Sequence, residues 1–438
     1  MFSVKLCRNR SCRELIKDIR RGITKTSTDS NSDAISRAQD HNQMNNFNLE
    51  GPSSQYHTNV NNKRWHKQMQ FNNLRALSTI QQTIPKPSHS STLVSKEQSR
   101  DFMALFPDLV RELTELGRNP ELPDVMRRVA RVLQYNVPNG KKNRGLILIS
   151  AYKMLEDPKN LTPENIKLAS VLGWCLEMIH SCFLVLDDIM DNSETRRGSL
   201  CWYRQNGIGL SAINDGLILE NAVYTLLKMH LKDHPAYVPV IELFHETVSK
   251  TTLGQCLDSM CLDSDGKPKL EMFSMSRYTS IVKYKTAYYS FHMPVAVAMY
   301  LAGMNDPEQH RQAKTILLEM GEFFQIQDDF LDCFGDPAVT GKKGTDIQEG
   351  KCSWLAVVAL QRASAAQRKI MEEHYGVDDP NSVAIIKKLY EDLSLPNTYA
   401  IYEEESYNII KTHIQQISKG LRHDLFFSIM EKLYKREC

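Results

Sequence analysis

Six aspartates stand in two copies of one spacing. Asp187, Asp188 and Asp191 fall in DDIMD, and Asp328, Asp329 and Asp332 fall in DDFLD. Each run is D-D-x-x-D near the end of an apolar stretch. On a helix, residues four apart share a face with Cβ atoms about 5–6 Å apart. Asp187 then stacks over Asp191, and Asp328 over Asp332. Like charges this close repel unless a cation neutralises them. Carboxylate oxygens are hard ligands suited to Mg2+, which keeps waters and completes its shell with substrate phosphate oxygens. One such cluster alone reads equally well as a solvated acidic helix end. Two identical clusters flanked by apolar sequence read as paired cation sites.

Basic side chains follow where a polyphosphate needs them. Arg196 and Arg197 come after the first cluster in TRRG. Lys342 and Lys351 come after the second, in TGKKGTD and GKCSW. An earlier loop, GKKNRG, supplies Lys141 and Arg144. Arginine forks match phosphate bidentately and lysine supplies a point charge. No GxxxxGK[ST] opens a helix, so this is not a P-loop.

The elements that must hold these groups are helices. From about residue 95 to the C-terminus, long apolar-periodic segments recur between short breaks such as Pro138–Gly140, Asp263–Pro268, Asn305–Glu308 and Pro396–Asn397. Leu168–Asp191 and Ala313–Phe334 are too long for strands and have a period near 3.6. No alternating β-run with hairpin signals stands out. The spacing predicts an all-α domain large enough to enclose a substrate cavity. The net charge of +2 over 438 residues gives no nucleic-acid footprint. No uninterrupted apolar run approaches the ~20 residues that span a bilayer. The ten cysteines form no CxxC pair or zinc-type cluster, and are read as buried reduced thiols.

At these motifs the sequence resembles the trans-isoprenyl diphosphate synthases, and among them the eukaryotic, insect-like farnesyl diphosphate synthase family. DDIMDNSETRRG is similar to the family's first aspartate-rich motif. GEFFQIQDDFLDCFGD, running on through TGKKGTDIQEGKCSW, is similar to the second, and GKKNRG, GQCLD and KYKTAYYSF follow the family order. The resemblance covers residues ~95–438 and leaves the N-terminal stretch outside it. It implies a bundle of long antiparallel helices around a central cavity, in a homodimer. It implies three Mg2+ ions held by Asp187, Asp191 and Asp328, with Asp188, Asp329 and Asp332 supporting. An allylic diphosphate would lie with these ions on Arg196, Lys285, Lys342 and Lys351. Isopentenyl diphosphate would lie on Lys141, Arg144 and Arg197, and the allylic cation beside Thr286, Gln325 and the Lys285 carbonyl. The implied reaction extends dimethylallyl and geranyl diphosphate to farnesyl diphosphate.

Two departures bear on that expectation. The family usually has glutamine at the position of His180, where it helps hold isopentenyl diphosphate. A histidine donates to phosphate more strongly when protonated. Two aromatics usually precede the first motif and form the floor that stops chain growth; here they are Cys182 and Phe183. Two rival readings are a terpene synthase on this scaffold and a noncatalytic regulatory subunit. Retention of Lys141, Arg144 and Arg197 argues against the first, and retention of all six aspartates against the second.

Residues 1–26 carry Lys5, Arg8, Arg10, Arg13, Lys17, Arg20, Arg21 and Lys25 against Glu14 and Asp18, with Leu6, Leu15, Ile16, Ile19 and Ile23 among them. A basic, potentially amphipathic N-terminus reads as a mitochondrial transit segment, with a cytoplasmic location as the alternative. Residues 27–94, rich in Asn, Gln and Ser, read as a polar disordered linker. A fusion of residues 1–90 to a soluble reporter is expected to enter mitochondria. A diffuse cytosolic signal from that fusion would overturn the targeting reading.

Overall fold

Thr162, Asp306, Ser353 and Asp379 each stop one chain reversal and start one helix. Their side-chain oxygens accept backbone N–H groups two or three residues on, satisfying donors that a helix start leaves open. Pro163, Pro307 and Pro380 sit in the first turns, where proline's missing N–H costs nothing. The computed structural model describes residues 95–114, 121–336, 344–418 and 420–434. The expectations for residues 1–26, for 27–94 and for Lys342 lie outside the described residues.

Fourteen α-helices are described: α1 Lys96–Thr114, α2 Pro123–Asn136, α3 Asn143–Leu155, α4 Pro163–Met190, α5 Ala212–Leu231, α6 Tyr237–Ser259, α7 Met275–Ile281, α8 Met293–Leu301, α9 Pro307–Phe334, α10 Trp354–Arg362, α11 Ala365–His374, α12 Pro380–Asp392, α13 Leu395–Gln415 and α14 His423–Tyr434. Between α7 and α8 the chain runs as an 11-residue π-helix, Val282–His292, so the three pieces make one continuous rod. The all-α expectation holds. The two long helices begin five or six residues before the apolar periodicity does, at the Thr-Pro-Glu and Asp-Pro-Glu caps.

The helices pack as a layered bundle. α4 lies along α5 and α3, α8 lies along α3, and the π segment is gripped between α6 and α9. One hydrophobic core fills the space among α1–α6, α8, α9 and α14, and a second joins α7 and the end of α9 to α10–α13. Contrary to the sequence expectation, α4 is long and apolar enough by composition to span a membrane. Here 78% of its most apolar window is buried inside the domain, which marks it as a core helix. A second difference is a two-stranded ribbon, Thr195–Arg196 with Ser199–Leu200, too short to show a period in sequence. Its turn residues Arg197 and Gly198 both take positive φ, 55° and 76°, the signs of a type I′ hairpin turn.

The grip on the π segment depends on Gly254 of α6. A Cβ there would lie 2.1 Å from the Lys285 backbone nitrogen. Ala exceeds Gly in helix propensity by ~1 kcal/mol, but overpacking of this kind costs about 1–3 kcal/mol or more. Gly254→Ala is therefore expected to lower the thermal unfolding midpoint despite the better helix former. An unchanged or raised midpoint would show that α6 and the π segment are not pressed together there.

Candidate active site

Asp187 and Asp188 lie in the last turn of α4 and Asp191 is its C-cap residue. Asp328, Asp329 and Asp332 lie in the last two turns of α9. A helix C-terminus already carries about half a negative charge, so each cluster adds anions to the unfavourable pole. Cations from distant segments answer the first cluster. Lys285 of the π segment bridges Asp187 at 3.1 Å and Asp258, near the end of α6, at 2.6 Å. Lys351, from the loop before α10, meets Asp191 at 2.5 Å. Arg196 of the ribbon holds Asp188 through Nε at 2.8 Å and Nη2 at 2.5 Å, and comes within 3.8 Å of Asp187.

Four carboxylates thus share three cations, and the titration behaviour reflects the imbalance. Burial opposes ionisation of Asp187, but Lys285, Lys351 and Arg196 outweigh it and hold its carboxyl below the ordinary range. Asp258 is lowered in the same way, by Lys285 and Lys351 against burial. Asp191 goes the other way: burial, with repulsion from Asp187, outweighs Lys351 and raises it. Burial works against the charge of Lys285 and Lys351, and the surrounding carboxylates still raise both. A negative charge left undercompensated on hard oxygen donors is the environment a divalent cation suits. Among the described residues no three His, Cys, Asp or Glu side chains converge as a closed cage. The donors are presented as carboxylate pairs on separate helices.

The second cluster is divided in its duties. Asp329 is buried and accepts three hydrogen bonds, from Tyr278 Oη at 2.7 Å, Trp354 N at 2.8 Å and Gln325 Nε2 at 3.0 Å. Burial pushes its carboxyl up to about 7, with those donors pulling against it. Asp332 accepts the Asp346 backbone N–H at 3.0 Å, which anchors the loop leading to Lys351. Asp328 is half-buried. Thr286 Oγ1 donates to Gln325 Oε1 at 3.3 Å, so Thr286, Gln325 and Asp329 form one oriented chain. Asp188 and Asp329 are thus the buried member of each set, while Asp187, Asp191, Asp328 and Asp332 are half-buried.

A second cationic pocket lies deeper along α4. Arg144, at the N-terminal end of α3, donates to Ser290 Oγ at 2.7 Å and to Tyr289 Oη at 3.0 Å, and stacks over the Tyr289 ring at 4.6 Å. Arg197 donates to the Asn139 carbonyl and, at 3.2 Å, to His180 Nε2. His180 Nδ1 lies 3.2 Å from Tyr289 Oη. Because arginine only donates, Nε2 accepts, and the proton sits on Nδ1. Burial first, and then Arg144, Arg197 and Arg196, keep His180 neutral by lowering its pKa well below the ordinary value. Both ring nitrogens are engaged within the protein, one with Arg197 and one with Tyr289. Lys141 is exposed on the loop before α3.

His180, Phe183 and Asp187 share one face of α4, as their spacing predicts. His180 and Phe183 both meet Tyr289, and Asp187 meets Lys285. Cys182, 2% exposed, turns instead toward Glu220 and Tyr224 of α5. Three partners escaped the sequence reading. Asp258 sits in GQCLD, and an acid closing an apolar helix was its available signal. Tyr289 and Ser290 follow Thr286 in KYKTAYYSF, but an uncharged pair carries no signal of its own.

Fold and site together define a class: an all-helical protein in which two helices end in carboxylate clusters, the first answered by lysines and an arginine, with a separate arginine pocket alongside. Residues 126–393 match the family model described as polyprenyl synthetase. The chain is 49% identical to the farnesyl pyrophosphate synthase of Murgantia histrionica over 363 residues, covering 83% of this chain and 87% of that protein. It is 48% identical to that of Gallus gallus over 354 residues, covering 81% and 96%. It is also similar to the T. brucei farnesyl diphosphate synthase complexed with risedronate, with a TM-score of 0.69, 33% identity and coverage of 77% and 99%. The chain belongs to the polyprenyl synthetase family.

Removing the Asp329 carboxylate strands three donors, and each unsatisfied buried group costs about 1–3 kcal/mol. Asp329→Ala is expected to lower the unfolding midpoint far more than Asp329→Asn, which keeps an acceptor. Equal midpoints for the two variants would remove Asp329 from its anchoring role.

Proposed function

We propose that the chain is a divalent-metal-dependent trans-prenyltransferase. It joins isopentenyl diphosphate to dimethylallyl diphosphate and then to geranyl diphosphate, giving farnesyl diphosphate. The observation that carries this reading is the pairing of a carboxylate-lined pocket and an arginine pocket through one π segment. Lys285 reaches the carboxylate-lined pocket, and four residues on Tyr289 reaches the arginine pocket. Two phosphorylated substrates can then be held along one cavity wall.

The donor set fits Mg2+, with Asp187, Asp191 and Asp328 as the residues that would hold it. When bound, the metal supplies Lewis-acid stabilisation of charge on the departing diphosphate. Three ions follow from the family resemblance. Lys285, Lys351, Arg196 and Lys342 hold the allylic diphosphate and stabilise its charge by preorganised electrostatics. The allylic C–O bond breaks and both electrons leave with diphosphate. Thr286 Oγ1, Gln325 Oε1 and the Lys285 carbonyl turn dipoles toward the cation without offering it a strong nucleophile. The isopentenyl double bond, oriented by its diphosphate on Arg144, Arg197 and Lys141, attacks to form the new C–C bond. The proton then lost goes to the departed diphosphate.

The arginine pocket favours coupling over a terpene synthase, which needs no second diphosphate. Ile213 and Leu217, four apart on α5 and 47% and 49% exposed, support a homodimer built on that helix; sedentation of the purified chain as a monomer at micromolar concentration would exclude it. The Cys182 thiol is smaller than the aromatic ring usual at that position. Substrate carbon filling space that an aromatic would take gains about 0.8 kcal/mol per buried CH2, so the Cys182→Phe variant tests whether this side chain limits the product.

Product analysis with isopentenyl diphosphate and each allylic diphosphate tests the reading. Farnesyl diphosphate should form with Mg2+ and cease with chelator. Asp187→Ala should lower turnover by orders of magnitude, at about 1.4 kcal/mol per tenfold. Arg197→Ala should mainly raise the KM for isopentenyl diphosphate, and Cys182→Phe should shorten the product range. Release of terpene hydrocarbons alone, with isopentenyl diphosphate ignored, sinks the proposal.

A further inference from the structure

Lys351 reaches the end of α4 from a loop, and the place of its ammonium depends on how that loop is held. Its Nζ meets Asp191 at 2.5 Å and lies 3.9 Å from Glu349. A lysine is a point charge on a flexible stem, so its backbone must be fixed for the charge to stand in one place. Two bonds within the loop touch that backbone. Lys351 N donates to the Asp346 carbonyl at 3.0 Å, and Ser353 N donates to the Lys351 carbonyl at 2.8 Å. Both are local and would travel with the loop if it shifted.

Other bonds tie the loop to the helices around it. Asp332 accepts Asp346 N, Asp329 accepts Trp354 N, and Gly376 N donates to the Ile347 carbonyl at 2.9 Å. Each of these stops short of Lys351. The tie that reaches it comes from Tyr375, the C-cap residue of α11. Tyr375 Oη donates to the Lys351 carbonyl at 2.6 Å and lies 3.5 Å from the Asp346 carbonyl. Its side chain is buried, and its ring meets Phe273 edge-on at 6.1 Å between centroids. Burial holds the phenol well above its ordinary pKa, so it keeps the proton it donates. A buried tyrosine bonded only for its own satisfaction would cost stability alone on losing its hydroxyl. One that sets Lys351 would also change how a diphosphate binds.

We propose that Tyr375 is a positioning residue: its hydroxyl fixes the Lys351 backbone so that the ammonium stands beside Asp191 and receives the diphosphate of the allylic substrate. The part assigned to Lys351 rests on the prenyltransferase reading, whereas the tie from Tyr375 does not. Without the hydroxyl, the Lys351 carbonyl keeps the bond from Ser353 N, which moves with the loop. A misplacement of ~1 Å far from the chemistry costs up to about a hundredfold. The effect is confined to one substrate, because Arg144 and Arg197 are held by Ser290, Tyr289, His180 and Asn139.

Tyr375→Phe deletes the hydroxyl and keeps the ring. In the full chain the KM for geranyl diphosphate should rise about tenfold, with the KM for isopentenyl diphosphate unchanged. Calorimetry with inorganic diphosphate and Mg2+, which needs no turnover, should show a similar loss of affinity. Lys387→Met is the comparison variant. Lys387 Nζ of α12 donates to the Cys333 carbonyl at 2.6 Å, so its loss loosens the neighbouring helix without touching Lys351. That variant should lower the unfolding midpoint and leave the KM for geranyl diphosphate as it was. In a Lys351→Ala background, Tyr375→Phe should add no further loss, since effects that pass through one residue do not add. The proposal falls if Tyr375→Phe changes the midpoint alone, if both KM values rise equally, or if its effect persists in full without Lys351. If the wild type couples no substrates but binds inorganic diphosphate in a manner that depends on Tyr375 and Lys351, the positioning role stands and the functional reading fails.

Discussion

Negative charge placed at the negative end of a helix is the constraint that organises this molecule. α4 and α9 both end in carboxylates, where the backbone carbonyls already point outward with no partners. Within the helices the shown relief is one neutral hydrogen bond, from Gln325 to Asp329 in α9, and no charge balances either cluster from inside its own helix. Relief for the first cluster comes from Lys285, Lys351 and Arg196, which belong to three separate parts of the chain. Each of those segments is therefore drawn to the end of α4. The bundle closes around an electrostatic problem that its own cations solve only in part, and the remainder is available to ligands.

The arginine pocket follows the opposite polarity. Arg144 stands at the N-terminal end of α3, where open N–H groups and the helix dipole favour anions. Positive side chains there repel one another, and the pocket spends neutral groups to hold them apart. Tyr289, Ser290 and neutral His180 accept from Arg144 and Arg197 without cancelling their charge. A carboxylate in their place would bind the arginines more tightly and make them poorer hosts for phosphate. The two pockets thus differ in what they lack: one is short of positive charge, the other of negative.

Helical class was legible because a 3.6-residue period over twenty residues is a long signal. The starts of α4 and α9 were less so, since Pro163–Lys167 and Pro307–Gln312 are polar and their helicity shows only in capping residues. The six aspartates were readable as a set from spacing alone. Their division of labour was not, because it depends on donors far away in sequence: Tyr278 and Trp354 converge on Asp329 only after α7, α9 and α10 pack. The same holds for His180, whose charge state is set by burial and three arginines. Asp258 became visible as a partner only when α6 and the π segment came together. Local pattern gives identity and face; partnership comes from packing.

The π segment has a consequence for how this rod can change over time. A π turn holds about one residue more than an α turn, and such turns arise where a helix absorbs an extra residue without breaking. Val282–His292 carries both Lys285 and Tyr289, so the reach between the two pockets is set by a stretch whose length is not fixed by regular helical geometry. Loss of one residue there would let α periodicity resume and turn everything downstream by about 100°, taking Tyr289 and Ser290 from Arg144 while α7 stayed in place. Point substitutions along this rod adjust a contact; a change of length would exchange one face for another.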